Sequence, residues 1–467
     1  MNSTHDEHSS PRPGWPWLVV ALVLGLARFW RLGEWSLWYD ESLTLGDADA
    51  GGLLHGWSYA AISAVAGIVG EPFTEWGLRL LPALAGYLSI PAAYLAFRPL
   101  VGGQRAGILA VLIAASVWQQ FWSQTGRGYT LAQLWMLLGF AVWIRAWMQR
   151  NGPLCLAAIG LVAVGTRFHP QVALLAACLP FGALVSADRK DPAQRRALLW
   201  MWGGGAVVGL AALPLLWGAL KGFWIANPAG GPSTFLHLAK STVWFLSLEI
   251  VLIIALGSAH VLLRRQAGGR LLFGICAGMI GGVSLMAFFS SVSAQYLFVL
   301  HAPLLALAVW PLPYLGRMAY VLPGLMLLLV APGVTRIALY SSVGQGERPR
   351  WSEALAYVWQ LREPNDLLLT MQAGVGELYL NPGSRTARFP QVVGWGDRQH
   401  FQNLDRVMNS SRPVWLVVRP AFFVLWPQPI QERMQAFLAS ECTLQQRFPL
   451  DLEGRDMDLE VYYRPGN

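Results

Sequence analysis

The sequence predicts a mainly α protein, a polytopic helical bundle in a membrane followed by a small α/β domain. Three observations carry this. Of 467 residues, 55% are hydrophobic and only 13% charged, where soluble globular chains carry about 25% charged residues. Apolar runs approaching the roughly 20 residues of a membrane span recur as far as residue 338. From residue 343 the pattern turns polar: Glu347, Arg348, Arg350, Glu353, Arg362, Glu363 and Asp366 arrive close together.

Taken in order, about eleven candidate spans centre on 15–32, 76–97, 104–122, 130–148, 153–167, 170–187, 197–219, 242–263, 270–290, 295–312 and 318–338. Arg167-Phe168-His169 alone separates the fifth from the sixth, so these two are expected to be short or bent. The first run has no basic stretch before it and no small-residue cleavage site after it, and reads as a retained span. Lys and Arg crowd alternate loops: Arg98 and Arg105, Arg145 and Arg150, Arg189 to Arg196, Arg264 to Arg270, and Arg317. The other loops hold only Arg127, Arg167, Lys221 and Lys240. Basic loops stay in the cytoplasm, which places the N-terminus inside, with the loop 33–75 and everything beyond the last span outside. The expected location is a bacterial cytoplasmic membrane.

The division expected is a membrane domain over 1–342 and a soluble extracytoplasmic α/β domain over 343–467. In the latter, Leu367–Thr370 and Val414–Val418 read as strands and 351–362 and 430–440 as helices. In the former, the apolar stretch 53–69 of the outer loop suits a helix lying in the membrane interface, and 220–241 a second such segment. A dinucleotide site is not indicated, because Gly374-Val375-Gly376 lacks a third glycine. The net charge of +8 is spread singly between apolar runs and forms no stripe for nucleic acid. Cys155, Cys178, Cys276 and Cys442 have neither metal-ligand nor disulfide spacing. No ligand set demands a divalent metal, and metal use stays open.

The candidate chemistry begins at Leu37-Trp38-Tyr39-Asp40-Glu41-Ser42, directly after the first span. Two adjacent carboxylates stand there among interfacial aromatics, where a group can meet both a lipid head group and a soluble molecule. A carboxylate in that place can take a proton from an attacking alcohol or amine. Equally, Asp40 can cap a helix over 41–48, with both charges favoured by its dipole. Both readings stay open on the residues alone. Arg127, between Gly126 and Gly128, offers a fork for phosphate oxygens where the backbone can approach closely; it can also simply snorkel to lipid phosphates. Arg167 and His169 suit an anionic leaving group or a turn satisfied by head groups. His55 stands near Trp57 and Tyr59. Within the spans, Glu249, His260 and His301 are ionisable groups at membrane depth, and the first two could share one helix face.

Together these segments resemble the GT-C superfamily of membrane glycosyltransferases that use polyprenyl-phosphate sugars, in particular its protein O-mannosyltransferase and aminoarabinose-transferase branch. Arg31-Leu32-Gly33 followed by Leu37-Trp38-Tyr39-Asp40-Glu41 is similar to the family's first-loop signature. Leu78-Arg79-Leu80-Leu81-Pro82-Ala83-Leu84-Ala85-Gly86, Trp122-Ser123-Gln124 through Arg127-Gly128-Tyr129, and Ala294-Gln295-Tyr296-Leu297 resemble three further family stretches, in the right order. Where the family has His-Pro-Pro-Leu-Tyr this chain has His55-Gly56-Trp57-Ser58-Tyr59. Thr125 replaces an acidic residue, and Gln295 an arginine.

The resemblance implies an extracytoplasmic active site with a polyprenyl-phosphate sugar as donor. The acceptor would be a lipid, protein or glycan. It implies Asp40 as catalytic base or as the group that positions the acceptor, with Glu41 beside it, and Arg127 at the lipid phosphate. On the residues themselves, Arg167 and His169 are further candidates for the phosphate, and His55 and Tyr129 for the substrate. Attack from the face opposite the phosphate would invert the anomeric centre. The competing expectation is a transporter or flippase of a lipid-linked or anionic substrate, with Glu249, His260 and Arg167 on the path. Repeated halves with matching broken helices, usual in such proteins, are not evident in the sequence.

Overall fold

The structure, a computed structural model, describes residues 14–466 apart from 39, 43, 45–55, 70–74, 189, 208–216, 218–230, 313–321, 343, 381–391, 395–399, 426–427 and 453–454. The chain divides into two compact units. The first holds residues up to 30, 50–61 and 81–337; the second gathers 31–49, 62–80 and 338–467. The C-terminal α/β domain therefore clusters with residues 31–49 and 62–80 and does not stand by itself.

The first unit is helical. It contains α1 (Trp15–Gly25), the first turns of α2 (Gly56–Val69), most of α3 (Glu75–Val101), α4 (Gly103–Ala114), α5 (Val117–Ser123), α6 (Tyr129–Met148), α7 (Gly152–Val164), α8 (Gln171–Ser186), α9 (192–207), α10 (Pro232–Leu246), α11 (Leu248–Leu263), α12 (Ala267–Ala287), α13 (His301–Ala308) and most of α14 (Leu322–Ser342). Among the described residues α3, α6 and α12 are each long and apolar enough to cross a membrane, and α4 with α5 and α10 with α11 pass together as bent pairs. Shorter apolar helices occupy the expected spans at 15–32, 153–167, 170–187 and 295–312, the last opening as a 3-10 stretch, Ala294–Leu300. The stretch expected to lie in the interface is helical as α2. The second half of the expected span 197–219, and 220–230 of the second expected interfacial segment, lie outside the described residues.

Two expected spans are broken, and the chain satisfies the freed backbone with side chains, as a low-dielectric setting demands. Between α4 and α5 the bend is 60°. The buried Arg28 donates to the carbonyls of Ile113 and Ala114 at 3.1 and 3.5 Å, and Ser116 caps α5 by accepting from Gln119 N–H. Between α10 and α11 the bend is 98°. Ser247 turns the chain there at φ 69°, and Arg336 donates to the Trp244 carbonyl at 2.6 Å. Each break thus has an arginine at the negative end of its first half-helix, where a cation is favoured.

Small residues bring helices together, as in other membrane bundles. Gly257 of α11 lies so close to α13 that a Cβ would strike the Leu307 carbonyl oxygen. Gly257→Ala is expected to destabilise the protein by about 1–3 kcal/mol, the usual cost of overpacking. A thermal melt in detergent checks this; an unchanged melting temperature would mean that the two helices separate freely.

In the second unit, a five-stranded sheet runs in the order β2-β1-β3-β7-β4. Its strands are β1 (Leu367–Thr370), β2 (Val392–Gly394), β3 (Val414–Val418), β4 (Thr443–Phe448) and β7 (Leu459–Arg464); β5 (Asp451–Leu452) and β6 (Arg455–Asp456) form a separate hairpin. The first three strands are parallel; β7 adds antiparallel to β3, and β4 adds antiparallel to β7. β3 is buried along its whole length, which is why it reads as an unbroken apolar run. Helices α15 (Trp351–Leu361), α16 (Ala373–Leu380), α17 (His400–Met408) and α18 (Gln428–Glu441) complete the domain. Trp351, Ala354, Leu355 and Val358 of α15 form its buried face, and Trp415 Nε1 donates to Asp366 at 2.9 Å.

Candidate functional site

In the second unit Glu41, the second carboxylate of the acidic pair, meets arginines from two distant places. Arg79, one turn into α3, is fully buried. Its fork grips both oxygens of Glu41, Nε to Oε1 at 2.8 Å and Nη2 to Oε2 at 2.9 Å. The remaining donors go to the loop backbone: Nη1 to the carbonyls of Leu32 and Trp35 at 3.2 and 2.9 Å, and Nη2 to that of Ser36 at 2.9 Å. All five guanidinium N–H groups are thus used, and the chain from 32 to 41 is wrapped around them. Arg348, also buried, lies 3.4 Å from Glu41 through Nε and donates to the Gly346 carbonyl at 3.1 Å. Gly346 has φ 63° and sits against both Trp35 and the Arg348 side chain, a place for a residue without a Cβ.

The helical turn that begins at Asp40 is capped by Glu41, whose Oε2 accepts from the Trp38 N–H at 2.9 Å. This is the carboxylate half of a capping box. Asp40 is itself helical here, and residues 43 and 45–48 of the helix expected over 41–48 lie outside the described ones. The two adjacent carboxylates have different surroundings. Glu41 is fully buried between two guanidinium groups, whereas Asp40 is half-buried. Identical groups held in unlike environments take unlike roles.

In the first unit, Arg127 and Arg167 gather at the first turns of α2. Arg127, following α5, stands 4.8 Å over the Tyr59 ring, and Arg167 stands 5.5 Å over Trp57. Between them Ser58 donates to the Phe168 carbonyl at 2.9 Å. Both arginines are half-buried, their flat cations resting on aromatic faces. The rings of His169 and Tyr129 pack at a tilt with centroids 4.3 Å apart, and those of Tyr129 and Trp122 with centroids 3.8 Å apart. The Nδ1 of His169 accepts from Gln171 N–H, which assigns the ring proton to Nε2. Tyr129 and His169 are each only 3% exposed, so they form the floor of this cluster while the arginines form its polar part. His55 lies outside the described residues.

Glu249 and His260 fall on α11 as expected, Glu249 exposed in its first turn. With the buried His301 and Arg336, Glu249 lines a small cavity of about 50 Å³ at the two helix breaks. Among the described residues no group of three or more His, Cys, Asp or Glu is placed to hold a metal ion. Cys442 is half-buried, and burial pushes its thiol up to about 11, so it is no ready nucleophile.

The sequence matches no protein-family model and no curated protein. Solved structures do match. ArnT, an aminoarabinose transferase from Cupriavidus metallidurans bound to undecaprenyl phosphate, superposes with a TM-score of 0.53 at 15% identity, covering 96% of this chain and 98% of ArnT. An oligosaccharyltransferase from Archaeoglobus fulgidus in complex with Zn and sulfate gives 0.54 at 13% identity, over 89% of this chain and 70% of its own. AglB from the same organism, with an inhibitory peptide and a dolichol-phosphate, gives 0.52 at 13% identity over 90% and 72%. At such identities the likeness establishes the fold. It is the fold of these proteins, a helical bundle with a smaller sheet-containing domain.

Proposed function

We propose that this chain is a membrane glycosyltransferase that moves a sugar from a polyprenyl-phosphate donor to an acceptor outside the cytoplasm. The observation that carries this is the unlike treatment of the acidic pair: Glu41 is locked into a buried ion cluster, and Asp40 is held on the same turn with its side chain half-buried. That is the arrangement for one structural carboxylate and one that exchanges protons. The fold shared with ArnT, a protein seen with undecaprenyl phosphate, supports the donor class.

In this mechanism Asp40 accepts the proton of the acceptor's hydroxyl or amine as that group attacks the anomeric carbon. The bond from that carbon to the phosphate oxygen breaks, and polyprenyl phosphate leaves with the electron pair. One displacement inverts the anomeric centre. Arg127 and Arg167 hold the lipid phosphate and stabilise the charge that grows on it, with His169 Nε2 as a further donor; their effect lies mainly in the transition state. Glu41 acts through position: it caps the turn and anchors it to Arg79. His55 and Tyr129 belong to the substrate region. The protein lies in a bacterial cytoplasmic membrane with its N-terminus inside and the α/β domain outside, as the distribution of basic loops supports.

The test is transfer of labelled sugar by the reconstituted protein from a donor of known anomeric configuration. Inverted product supports the reading, and retained configuration contradicts it. Arg127→Gln and Arg167→Gln are each expected to lower kcat/KM about 10²-fold, on the scale of losing one preorganised donor to developing charge. Equal kinetics in variant and wild type would remove that arginine from the phosphate site.

A further inference from the structure

The segment that carries Asp40 is held from the far end of the chain. Tyr379, near the end of α16, accepts from the Leu37 N–H at 2.6 Å and donates to Glu75 at 2.8 Å. Burial first, and the Glu75 carboxylate second, hold its phenol well above the ordinary tyrosine range, so it stays a neutral donor. In the first turn of α15, Ser352 meets Ser36: the hydroxyls are 2.9 Å apart, and the Ser352 N–H donates to Ser36 Oγ at 3.1 Å. Gly374, at the start of α16, lies against Ser42 with no room for a Cβ. Arg348 completes the set at Glu41. Residues 36, 37, 41 and 42, on both sides of Asp40, thus each have a partner from the stretch 348–379, all within the second unit.

A helix gains little from its first turn alone, because nucleation is unfavourable until several bonds form. That turn's direction is set by what grips it. A general base must also be placed closely, since a displacement of about 1 Å can cost roughly 10²-fold in rate. We infer that Tyr379, Ser352 and Arg348 are positioning residues for Asp40, and that the C-terminal α/β domain is a working part of the catalytic centre because it fixes the backbone on which the base sits. This rests on Asp40 being the base.

Tyr379→Phe keeps the ring and removes both hydrogen bonds. It is expected to lower kcat about 10-fold or more, with donor KM and the melting temperature unchanged, and to speed amide hydrogen exchange at 36–42. Arg348→Lys, which keeps the charge, is expected to retain more activity than Arg348→Met. Wild-type kcat and exchange in Tyr379→Phe would overturn the inference, as would a loss of kcat matched by a general loss of stability. Ser36→Cys combined with Ser352→Cys gives a second reading of the same contact. If the cross-linked protein turns over as fast as its reduced form, the contact stays closed during catalysis, as inferred. If oxidation stops turnover and reduction restores it, the contact opens and the inference fails. Absence of transfer by wild type with every donor would instead defeat the glycosyltransferase reading, while hydrogen exchange at 36–42 would still decide whether Tyr379 holds the segment.

Discussion

Asp40→Asn is expected to lower kcat by about 10²–10⁴-fold, the range that a positioned general base contributes, and to leave the melting temperature where it was. The carboxamide has the same shape but takes no proton. Asp40 is half-buried, so an isosteric carboxamide is accommodated there. The neighbouring Glu41→Gln should behave in the opposite way. It weakens two buried ion pairs and the cap at Trp38, so stability falls first and activity falls with it. Kinetics and thermal melts of the two variants, measured side by side, check the assignment. A stable Glu41→Gln that lacks only turnover would exchange the roles of the two residues.

The largest expected effect on stability comes from Arg79→Met. It removes from the buried Glu41 the fork that holds both its oxygens, and strips a donor from the carbonyls of Leu32, Trp35 and Ser36. Breaking one side of a buried pair costs about 3–5 kcal/mol. Arg79→Lys should recover only part of this, because an ammonium cannot match the planar fork that serves both carboxylate oxygens and three carbonyls at once. Melting temperatures in detergent should fall in the order wild type, Arg79→Lys, Arg79→Met. If Arg79→Met melts with wild type, the cluster does not hold the loop.

Much of the architecture was legible because it follows from local pattern. The composition change near 343 marks the polar domain, and the expected strands Leu367–Thr370 and Val414–Val418 are β1 and β3 residue for residue. The turn between the fifth and sixth spans is where Arg167-Phe168-His169 placed it. The breaks in the third and eighth spans were not legible. Both sites, Ala115-Ser116 and Ser247, lack proline and glycine, and the apolar pattern runs through them without interruption. Their stability comes from Arg28 and Arg336, distant in sequence and recognisable only once folded.

The acidic pair could be singled out from the sequence as a candidate, because adjacent carboxylates directly after an apolar run are costly without a purpose. Which of the two is structural was not legible, since the answer lies with Arg79 and Arg348, 38 and 307 residues from Glu41. Arg79 had one usable signal, a lone arginine in the apolar opening of a span, where a buried partner is the expected remedy. Tyr379 and Ser352 had none. A tyrosine and a serine in a polar domain give no sign of what they hold until the chain brings them to Leu37 and Ser36.

The most direct measurement uses purified wild type and Asp40→Asn in lipid nanodiscs, matched for melting temperature. Each is given radiolabelled polyprenyl-phosphate sugars and a crude envelope extract as acceptor source. The account predicts that label passes from one donor to an acceptor with wild type and stays on the lipid with Asp40→Asn. Equal transfer by both proteins would contradict Asp40 as the base, and no transfer by either, across all donors, would contradict glycosyl transfer itself.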